Sequence, residues 1–418
     1  MSWVFVCLLQ KMQKIHVIKF LPYFPPHRWG LESHVQERSQ AWTRKWYGDV
    51  INVTTPMGQD NSIPKTTSHH EAIIYQGIYI WYKTDGYQVV VLDAFDLIPV
   101  FPFPKFRTSR FWTTISYLNT QIKLYKNENI IINTHTRFFL TTLCGGIFAK
   151  LNWLKRIHIE HGTDFVKLAN PVKTMIAYMY DQIVGRLVFR TAEMTIGISI
   201  GCQKFANIFT KKNIPIIHRG MDFLETKKTI SWKKQPNEKT VIWFVGRLVT
   251  LKWVDLLIHA FNAVQKKHPN IVLHIVWDGD QLWELQKLAH DVWLNKNVVF
   301  LWAKDRSYVA NDFLPHVDIL VNPSYQEWLP TSVLEWLLSK CVVVATNVWG
   351  TPEISTHKDL ILVKKWDVAD LERGIIYAIQ NYPQLKWLSY EYVVQHFDRN
   401  KSIAQYHKIY TSIVWNEK

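Results

Sequence analysis

Short apolar segments alternate with amphipathic helical patterns along almost the whole of this 418-residue chain. Strands that alternate with helices of about 10–15 residues form βαβ units, and such units build parallel sheets. Continuous apolar strands are typical of sheets that helices cover on both faces. Hydrophobic residues make up 48% of the chain, which allows a sizeable core. The pattern therefore predicts an α/β protein with parallel sheets.

The predicted strands form two series, separated by the polar, lysine-rich stretch Asp222–Lys239. The first series comprises Ile15–Leu21, Val50–Thr54, Gln88–Leu92, Asn129–Asn133, Arg156–Glu160, Met194–Ile198 and Ile214–Ile217. The second series comprises Thr240–Val245, Ile271–Val276, Val298–Leu301, Ile319–Asn322 and Val342–Ala345. After Asp367 the pattern is helical to the end of the chain. Two α/β domains of similar size are therefore expected.

The expected boundaries follow from these series. We place one α/β domain at residues 12–225, a linker at 226–238 and a second α/β domain at 239–375. Helices at 376–418 are expected to pack back toward the first domain. Met12 begins a natural first strand, so residues 1–11 are interpreted as an upstream extension outside the folded protein.

The chain carries a net charge of +15, which favours anionic partners such as nucleotides, phosphorylated lipids or an anionic membrane surface. The lysine pairs in the middle of the chain are too short for a nucleic-acid-binding tail, so nucleic acid is not an expected partner. The segment Leu97–Trp112, rich in Pro, Phe and basic residues, is interpreted as a loop. It either forms a surface for a ligand or lipid, or packs on its own domain.

The four cysteines lie far apart, and none of them forms a CxxC pair. This spacing argues against a zinc site or a disulfide framework and suits a reducing compartment. No apolar run approaches the roughly 20 residues that span a bilayer. We therefore expect a cytoplasmic protein that could lie on the inner face of a membrane.

Tryptophan stands where turns after strands usually need glycine. The chain has 20 Trp and 16 Gly, whereas a usage of about 7% would give about 29 Gly. Glycine is favoured there because it alone adopts a positive φ at little cost. The affected turn positions are Trp29, Trp253, Trp277, Trp302, Trp328 and Trp349, with Trp46, Trp293 and Trp366 at further predicted turns.

One explanation of these tryptophans lies in the genetic code. The codon TGA is read as Trp in one alternative code and as Gly in another, so we hypothesise that glycine-coding TGA codons were translated as Trp. TGG codons at these positions would disprove it.

Two glutamates flank a predicted helix start in the segment Asn322–Glu335. Pro330 stands where a first helical residue is expected, and backbone N–H groups at a helix N-terminus bind anions such as a diphosphate. Glu327 precedes this terminus. Glu335 follows Thr331 and Ser332 on the same helix face. A glutamate alone would be a solvated residue as readily as a functional one, whereas the pair indicates a phosphate site.

A second candidate motif follows the strand Thr240–Val245. Gly246 follows the strand, and Arg247 and Lys252 lie in the loop before a helix. In open α/β sheets, ligands bind at the carboxyl ends of the strands. Arg offers a planar fork to phosphate oxygens and Lys a mobile point charge. As isolated residues both would more often be surface charges.

These motifs, in this order, resemble the GT4 family of retaining glycosyltransferases over most of residues 240–370. The resemblance rests on Gly246-Arg247 with Lys252, the turn at 277–279, Glu327 with Glu335, and the turn before Pro352-Glu353. It implies the GT-B fold, with two facing Rossmann-like domains and a cleft between them. The family has glycine where this chain has Trp253, Trp277, Trp302, Trp328 and Trp349, while the charged residues are kept.

The resemblance also implies roles for the charged residues. Arg247 and Lys252 would hold the pyrophosphate of a nucleotide-diphosphate sugar donor, and Glu335 would bind the ribose. Glu327 would contact the transferred sugar near its reacting carbon. Amides in the first turn, at Thr331 and Ser332, would stabilise the leaving diphosphate. No metal or other cofactor is expected, because these groups supply the positive charge. Asp278-Gly279-Asp280 is read as a turn rather than a metal motif.

The N-terminal half resembles the family more loosely and would form the acceptor side. Gly30 belongs to a loop that would face the donor phosphates. His161, at a strand end, matches a family histidine near the transferred sugar, although a strand-end histidine can also be purely structural. His135 is a weaker candidate that would line the acceptor side.

The expected function is transfer of a sugar, with retention of configuration, to a cell-envelope glycan or lipid-linked acceptor. A sugar-nucleotide epimerase with the same fold is one alternative. A non-catalytic pseudo-enzyme is another, because a genuine Trp328 or Trp349 would obstruct the phosphate site. Product analysis separates transfer from epimerisation.

Overall fold

The computed structural model describes residues 14–24, 30–55, 70–76, 78–83, 86–98, 101–166, 170–221, 239–276, 279–294, 296–301, 317 and 319–415. The chain forms two compact units. The first contains the described residues up to Gly220 together with those from Arg399 onward. The second runs from Met221 to Asp398. The predicted linker, 226–238, and the predicted extension, 1–11, lie outside the described residues.

The first unit is built on an eight-stranded sheet in the order β10-β9-β8-β1-β2-β5-β4-β3. Its strands are β1 (Ile15–Phe20), β2 (Val50–Thr54), β3 (His70–Tyr75), β4 (Ile78–Lys83), β5 (Tyr87–Val91), β8 (Asn129–His135), β9 (Lys155–Glu160) and β10 (Met194–Gly197). Neighbouring strands are parallel except that β4 runs antiparallel to β3 and β5. A separate antiparallel hairpin pairs β6 (Ala94–Ile98) with β7 (Phe101–Pro104).

Helices accompany this sheet along the chain. They are α1 (Gly30–Arg44), α2 (Ser109–Leu124), α3 (Leu140–Leu151), α4 (Pro171–Tyr180), α5 (Arg186–Thr191), α6 (Ile200–Ala206) and, at the end of the chain, α12 (Arg399–Trp415). A π-helical turn, Asp181–Gly185, joins α4 to α5. The central strands β1 and β2 are buried along their whole length, as expected for a sheet covered on both faces.

The second unit has a six-stranded, fully parallel sheet in the order β13-β12-β11-β14-β15-β16. Its strands are β11 (Thr240–Val245), β12 (Ile271–Val276), β13 (Val298–Leu301), β14 (Ile319–Asn322), β15 (Val342–Thr346) and β16 (Leu360–Val363). Its helices are α7 (Val254–Lys267), α8 (Leu282–Asp291), α9 (Thr331–Leu338), α10 (Val368–Leu385) and α11 (Tyr390–His396). The α/β architecture with two largely parallel sheets is therefore confirmed.

Two sequence predictions about local structure were wrong. Ile214–Ile217 is not a strand, because within it Ile216 makes only an isolated bridge to Gly197. The segment Leu97–Trp112 is not a loop: it contributes to the β6–β7 hairpin and then enters α2. Pro102 and Pro104 can lie in this hairpin because, in the described part of the chain, its two strands pair only with each other, and proline is tolerated at edges.

Among the residues that the structure describes, seven tryptophans adopt the left-handed backbone conformation that favours glycine. They are Trp46, Trp153, Trp253, Trp293, Trp349, Trp366 and Trp387, with φ between 43° and 85°. A bulky residue at positive φ is a strained outlier. The predicted turns at Trp46, Trp293 and Trp366 are thus present, and Trp153 and Trp387 are further cases.

Three of these tryptophans end helices in the same way. In α1, the N–H groups of Trp46 and Tyr47 donate to the carbonyls of Thr43 and Trp42, at 2.9 and 3.3 Å. Trp153 after α3 and Trp293 after α8 form the same pair of bonds with their neighbours. This is the Schellman motif, whose left-handed residue is usually glycine. Tryptophan therefore occupies the position in these helix ends that glycine usually occupies.

Candidate functional site

The strand ends of the second unit bring Lys252 and Glu327 together. Lys252 ends a short 3₁₀ turn, Thr250–Lys252, after β11, and Glu327 lies in the loop after the neighbouring strand β14. Lys252 Nζ donates to Glu327 Oε1 at 2.5 Å. The side chains keep 24% and 12% of their exposure, so both charges remain accessible to a ligand.

The loop that carries Glu327 is fixed by its own hydrogen bonds. Asn322 Nδ2 donates to Glu327 Oε1 at 3.3 Å, and Ser324 Oγ donates to Asn322 Oδ1 at 2.8 Å. The Gly350 N–H donates to the Glu327 carbonyl at 3.5 Å. A Cβ at Gly350 would collide with the Trp328 carbonyl, so this contact requires glycine. The Glu327 carboxylate is therefore held in one place.

Helix α9 begins directly after this loop. Pro330 occupies the N-cap position rather than the predicted first helical position, and Thr331 is the first residue of the helix. Thr331 and Ser332 lie half-buried in the first turn, and Glu335 lies half-buried one turn later. The helix N-terminus and its dipole favour an anion at this point.

Arg247 and three of the affected tryptophans lie in the loops of this region. Arg247 is exposed in the loop after β11. Trp253, with φ 48°, precedes α7, and its ring centroid lies 3.6 Å from that of Trp366. Trp349, with φ 43°, precedes Gly350. Trp328 is half-exposed beside Glu327 and does not have a positive φ. Trp29, Trp277 and Trp302 lie outside the described residues.

In the first unit, His161 is part of a buried chain of hydrogen bonds. Arg38 Nη2 lies 3.0 Å from His135 Nε2, and His135 Nδ1 lies 3.1 Å from His161 Nε2. A guanidinium only donates, so His135 Nε2 accepts. Neutral His135 must then carry its proton on Nδ1 and donate to His161 Nε2. His161 in turn carries its proton on Nδ1.

Burial keeps both histidines uncharged. Desolvation, followed by the charge of Arg38, holds the pKa of His135 well below its usual value. Burial and Arg38 likewise lower the pKa of His161 to about 3, although the Glu160 carboxylate opposes the shift. At neutral pH, His161 is therefore a neutral hydrogen-bonding group rather than a cation.

A buried ionic cluster next to His161 was missed by the sequence reasoning. Arg137 Nη2 donates to Asp181 Oδ2 at 3.0 Å, and Arg137 Nη1 donates to Glu160 Oε1 at 3.4 Å. The guanidinium also lies 4.1 Å from the centre of the Phe205 ring. The Gly162 N–H donates to Glu160 Oε1 at 2.6 Å, which fixes the backbone just after His161.

The two carboxyl groups of this cluster differ in their pKa. Burial alone would raise the pKa of Glu160, but Arg137, His158 and the Gly162 N–H together lower it to about 2. Burial raises the pKa of Asp181 to about 6, although Arg137 opposes the shift. The sequence signal for this cluster was the run Asn133–Arg137 at a strand end, from which only His135 was singled out.

Gly30, predicted in a loop, is instead the first residue of α1. Among the residues that the structure describes, no group of three His, Cys, Asp or Glu side chains is placed to hold a metal ion. Within the same residues, no helix is both long and apolar enough to cross a membrane.

Comparison with known proteins assigns the chain to a family. The sequence model of the glycosyl transferases group 1 family matches residues 226–391. Uncharacterized glycosyltransferase MJ1069 of Methanocaldococcus jannaschii is 32% identical over 417 residues, which cover 96% of this chain and 100% of that protein. The GPI3 subunit of the Saccharomyces cerevisiae phosphatidylinositol N-acetylglucosaminyltransferase is 29% identical over 159 residues, 38% of this chain and 35% of its own length.

A solved structure gives the same architecture. Anabaena Alr3699/HepE, crystallised with UDP, superposes with a TM-score of 0.69 at 15% identity, and the match covers 96% of this chain and 100% of that one. At this identity the likeness establishes the fold, which is GT-B. The full-length relative at 32% identity establishes the family. This chain belongs to the glycosyl transferases group 1 family and is an enzyme of the glycosyltransferase type.

Proposed function

We propose that the protein transfers a sugar from a nucleoside diphosphate sugar, with retention of configuration, to a glycan or lipid-linked acceptor. The observation that carries the proposal is the Lys252–Glu327 pair before the N-terminus of α9. This pair lies inside the segment that the family model matches. The UDP bound to the HepE structure supports a nucleotide donor.

The charges around α9 suit the leaving group of this reaction. Negative charge grows on the diphosphate as the sugar leaves, and fixed cations and N–H donors lower the barrier when they face that charge. Lys252, Arg247 and the first turn of α9 supply such groups, so the mechanism we propose needs no metal ion. Glu335, one turn further along α9, is proposed to bind the ribose.

Glu327 is proposed to act at the sugar. Its bonds to Lys252 and Asn322 hold one carboxylate oxygen, Oε1. A diphosphate that draws Lys252 away would leave the carboxylate beside the reacting carbon. His161, neutral with its proton on Nδ1, is proposed to hydrogen-bond a sugar hydroxyl, for which a charged imidazolium would be less suited.

The acceptor is proposed to lie at a membrane surface. The net charge of +15 favours anionic lipid, and the name of the yeast relative identifies a phosphatidylinositol-modifying enzyme. A cytoplasmic protein bound to the inner face of the membrane fits this acceptor.

We propose further that the tryptophans at left-handed turns are glycines in the working enzyme. Trp253 and Trp349 have positive φ next to Lys252 and Gly350, where backbone should approach the phosphates. Three more tryptophans end helices in Schellman motifs. If they are genuine, the strained turns favour the alternative of a pseudo-enzyme without donor binding.

The decisive experiment uses the chain with glycine at positions 29, 253, 277, 302, 328 and 349. It is offered a panel of nucleoside diphosphate sugars, with binding measured by calorimetry and product anomers assigned by NMR. We expect binding and a retained anomeric configuration. In this background Glu327→Ala should lose transfer and keep nucleotide binding, whereas Glu284→Ala, exposed on α8, should change neither.

Two results would contradict the proposal. The first is absent donor binding after the glycines are restored. The second is full transfer by the Glu327→Ala variant.

A further inference from the structure

An unpartnered apolar face runs along α4, the π-helical turn and α5. It consists of Val172, Met175, Ile176, Met179, Ile183 and Leu187, which are between 49% and 70% exposed. At about 100° per residue, these six positions fall within an arc of about 120°. A surface helix normally turns such a stripe toward the core. Here the stripe faces outward.

The opposite side of the same segment faces the core. Ala177, Asp181, Gly185 and Val188 are buried. Asp181 is bound by Arg137 at 3.0 Å, and both side chains are almost fully buried. The segment is therefore anchored with its apolar face pointing away from the first unit, and exposure of this face is a fixed property of the fold.

A neighbouring helix enlarges the exposed apolar surface. Helix α3 packs against α5 and carries Ile147 and Leu151, which are also exposed. Contiguous apolar patches larger than a few hundred Å² are uncommon on monomeric soluble proteins and mark interaction sites.

The accessible charges within residues 171–191 are positive, although exposed Glu193 follows α5. Residues 171–191 contain one acidic residue, Asp181, which is the buried partner of Arg137. The cations of the segment are Lys173 and Arg190, both exposed, and Arg186, which is half-buried. Lys150, at the end of α3, is a further exposed cation. An apolar stripe whose own segment carries three accessible cations and no accessible carboxylate matches an anionic lipid surface.

We propose that the apolar face of α4–α5 is the surface by which this protein lies on an anionic bilayer. The stripe covers 16 residues, about 24 Å of helix at 1.5 Å per residue, which suits a helix lying in the plane of the interface. This inference rests on the proposed function in one respect: the purpose of membrane binding would be to bring the enzyme to a lipid-linked acceptor.

The test is vesicle flotation with the full chain. Vesicles are made of phosphatidylcholine alone or of phosphatidylcholine mixed with phosphatidylglycerol. We expect clear binding to the mixed vesicles and weak binding to the neutral ones. The double variant Met175→Asp/Met179→Asp should lose at least about tenfold in binding, since each aspartate removes an inserted apolar group. Both positions are exposed, so folding should be unchanged by circular dichroism.

Two further variants separate the contributions. Leu124→Asp places the same charge at an exposed apolar position at the end of α2, outside the face, and should bind like the unmodified chain. Lys173→Glu/Arg190→Glu should lose the preference for anionic vesicles, and adding salt to the unmodified chain should weaken that preference in the same direction.

Several outcomes would overturn the inference. Equal binding by Met175→Asp/Met179→Asp would show that another surface contacts lipid. Dimers that form without lipid and disappear in this variant, with vesicle binding unchanged, would show that the face pairs with a second copy. Vesicle binding is measured without a donor sugar. The vesicle result therefore tests the membrane surface even if the proposed transfer reaction is not observed.

Discussion

The two units present their strand-end residues in different surroundings. In the first unit, Arg137, Glu160 and His161 are almost completely buried. Arg137 binds Glu160, and His161 is hydrogen-bonded to His135. In the second unit, Lys252 and Glu327 are partly exposed, and the turns beside them carry Trp253 and Trp349 at positive φ. The first arrangement is held by burial, while the second is held by hydrogen bonds within partly exposed loops.

This difference predicts different consequences of substitution. A buried ion cluster cannot lose one member without leaving another charge unpaired, so its substitutions should lower stability. An exposed ion pair adds little to stability, so its substitutions should appear in binding and catalysis.

The largest effect is expected at Arg137. Arg137→Met leaves the buried carboxylates of Glu160 and Asp181 without their cation, and should lower the free energy of unfolding by about 3–5 kcal/mol. Urea unfolding measures this loss. The matched control is Arg373→Met, which removes an exposed ion pair with Asp370 and should cost less than about 1 kcal/mol. Equal losses in the two variants would contradict the contrast.

The second effect is on catalysis and is expected at Lys252. In the glycine-restored chain, Lys252→Met removes a cation from the leaving diphosphate and should lower kcat about 100- to 1000-fold. Stability should change by less than about 1 kcal/mol, because the pair is partly exposed. Lys266→Met, on the exposed side of α7, is the control for charge alone. If Lys252→Met lowered stability without lowering kcat, Lys252 would have a structural role, like Arg137.

The parallel core of both units was predictable from sequence, and the reason is physical. Buried parallel strands are continuous apolar runs, so β11, β12, β13 and β14 begin and end where the sequence indicates. The hairpin β3–β4 was missed. Gln76 at its turn has a positive φ of 46°, a conformation typical of tight reversals that glutamine does not signal in the sequence. The short strand β16 was missed as well.

The candidate site was predictable only where the chain order determines proximity. Arg247, Lys252 and Glu327 follow neighbouring parallel strands, so their sequence positions place them at one sheet edge. The Arg137–Glu160–Asp181 cluster joins three separate elements, and single-sequence patterns do not reveal such a contact. The outward-facing stripe on α4 has the same period as a core-facing stripe, so only the structure shows its direction.

A third effect should appear as pH dependence in the first unit. The pKa of His161 is about 3 in the folded protein, below its unfolded value of about 6.5. A depressed folded pKa gives stability that is present above pH 6.5 and is lost as the pH falls toward 3. Each proton of difference costs about 1.4 kcal/mol per pH unit in that window.

The measurement is urea unfolding between pH 5 and pH 8. His161→Gln should flatten the acid loss by about one proton, while His290→Gln, at an exposed position in the second unit, should leave the profile unchanged. An unaltered slope in His161→Gln would mean that His161 is charged in the folded protein.

The smallest effect concerns a feature that both units have, tryptophan at left-handed helix ends. Trp46 and Trp153 in the first unit and Trp293 in the second are 81%, 94% and 91% exposed, so their replacement removes little packing. Glycine relieves the strain of positive φ, and each of Trp46→Gly, Trp153→Gly and Trp293→Gly should raise the free energy of unfolding by about 1 kcal/mol. The effects should add, because the sites are independent.

The matched control is Trp283→Gly, since Trp283 is also exposed and lies within α8 without a positive φ. Glycine inside a helix should cost about 1 kcal/mol there, so the two kinds of substitution have opposite signs. A loss at all four positions would contradict the interpretation that the left-handed tryptophans occupy glycine sites. If the free energy of unfolding rose only for the three helix-end variants, the backbone of both units would favour glycine at these positions. The codons at these positions would then be the next thing to determine.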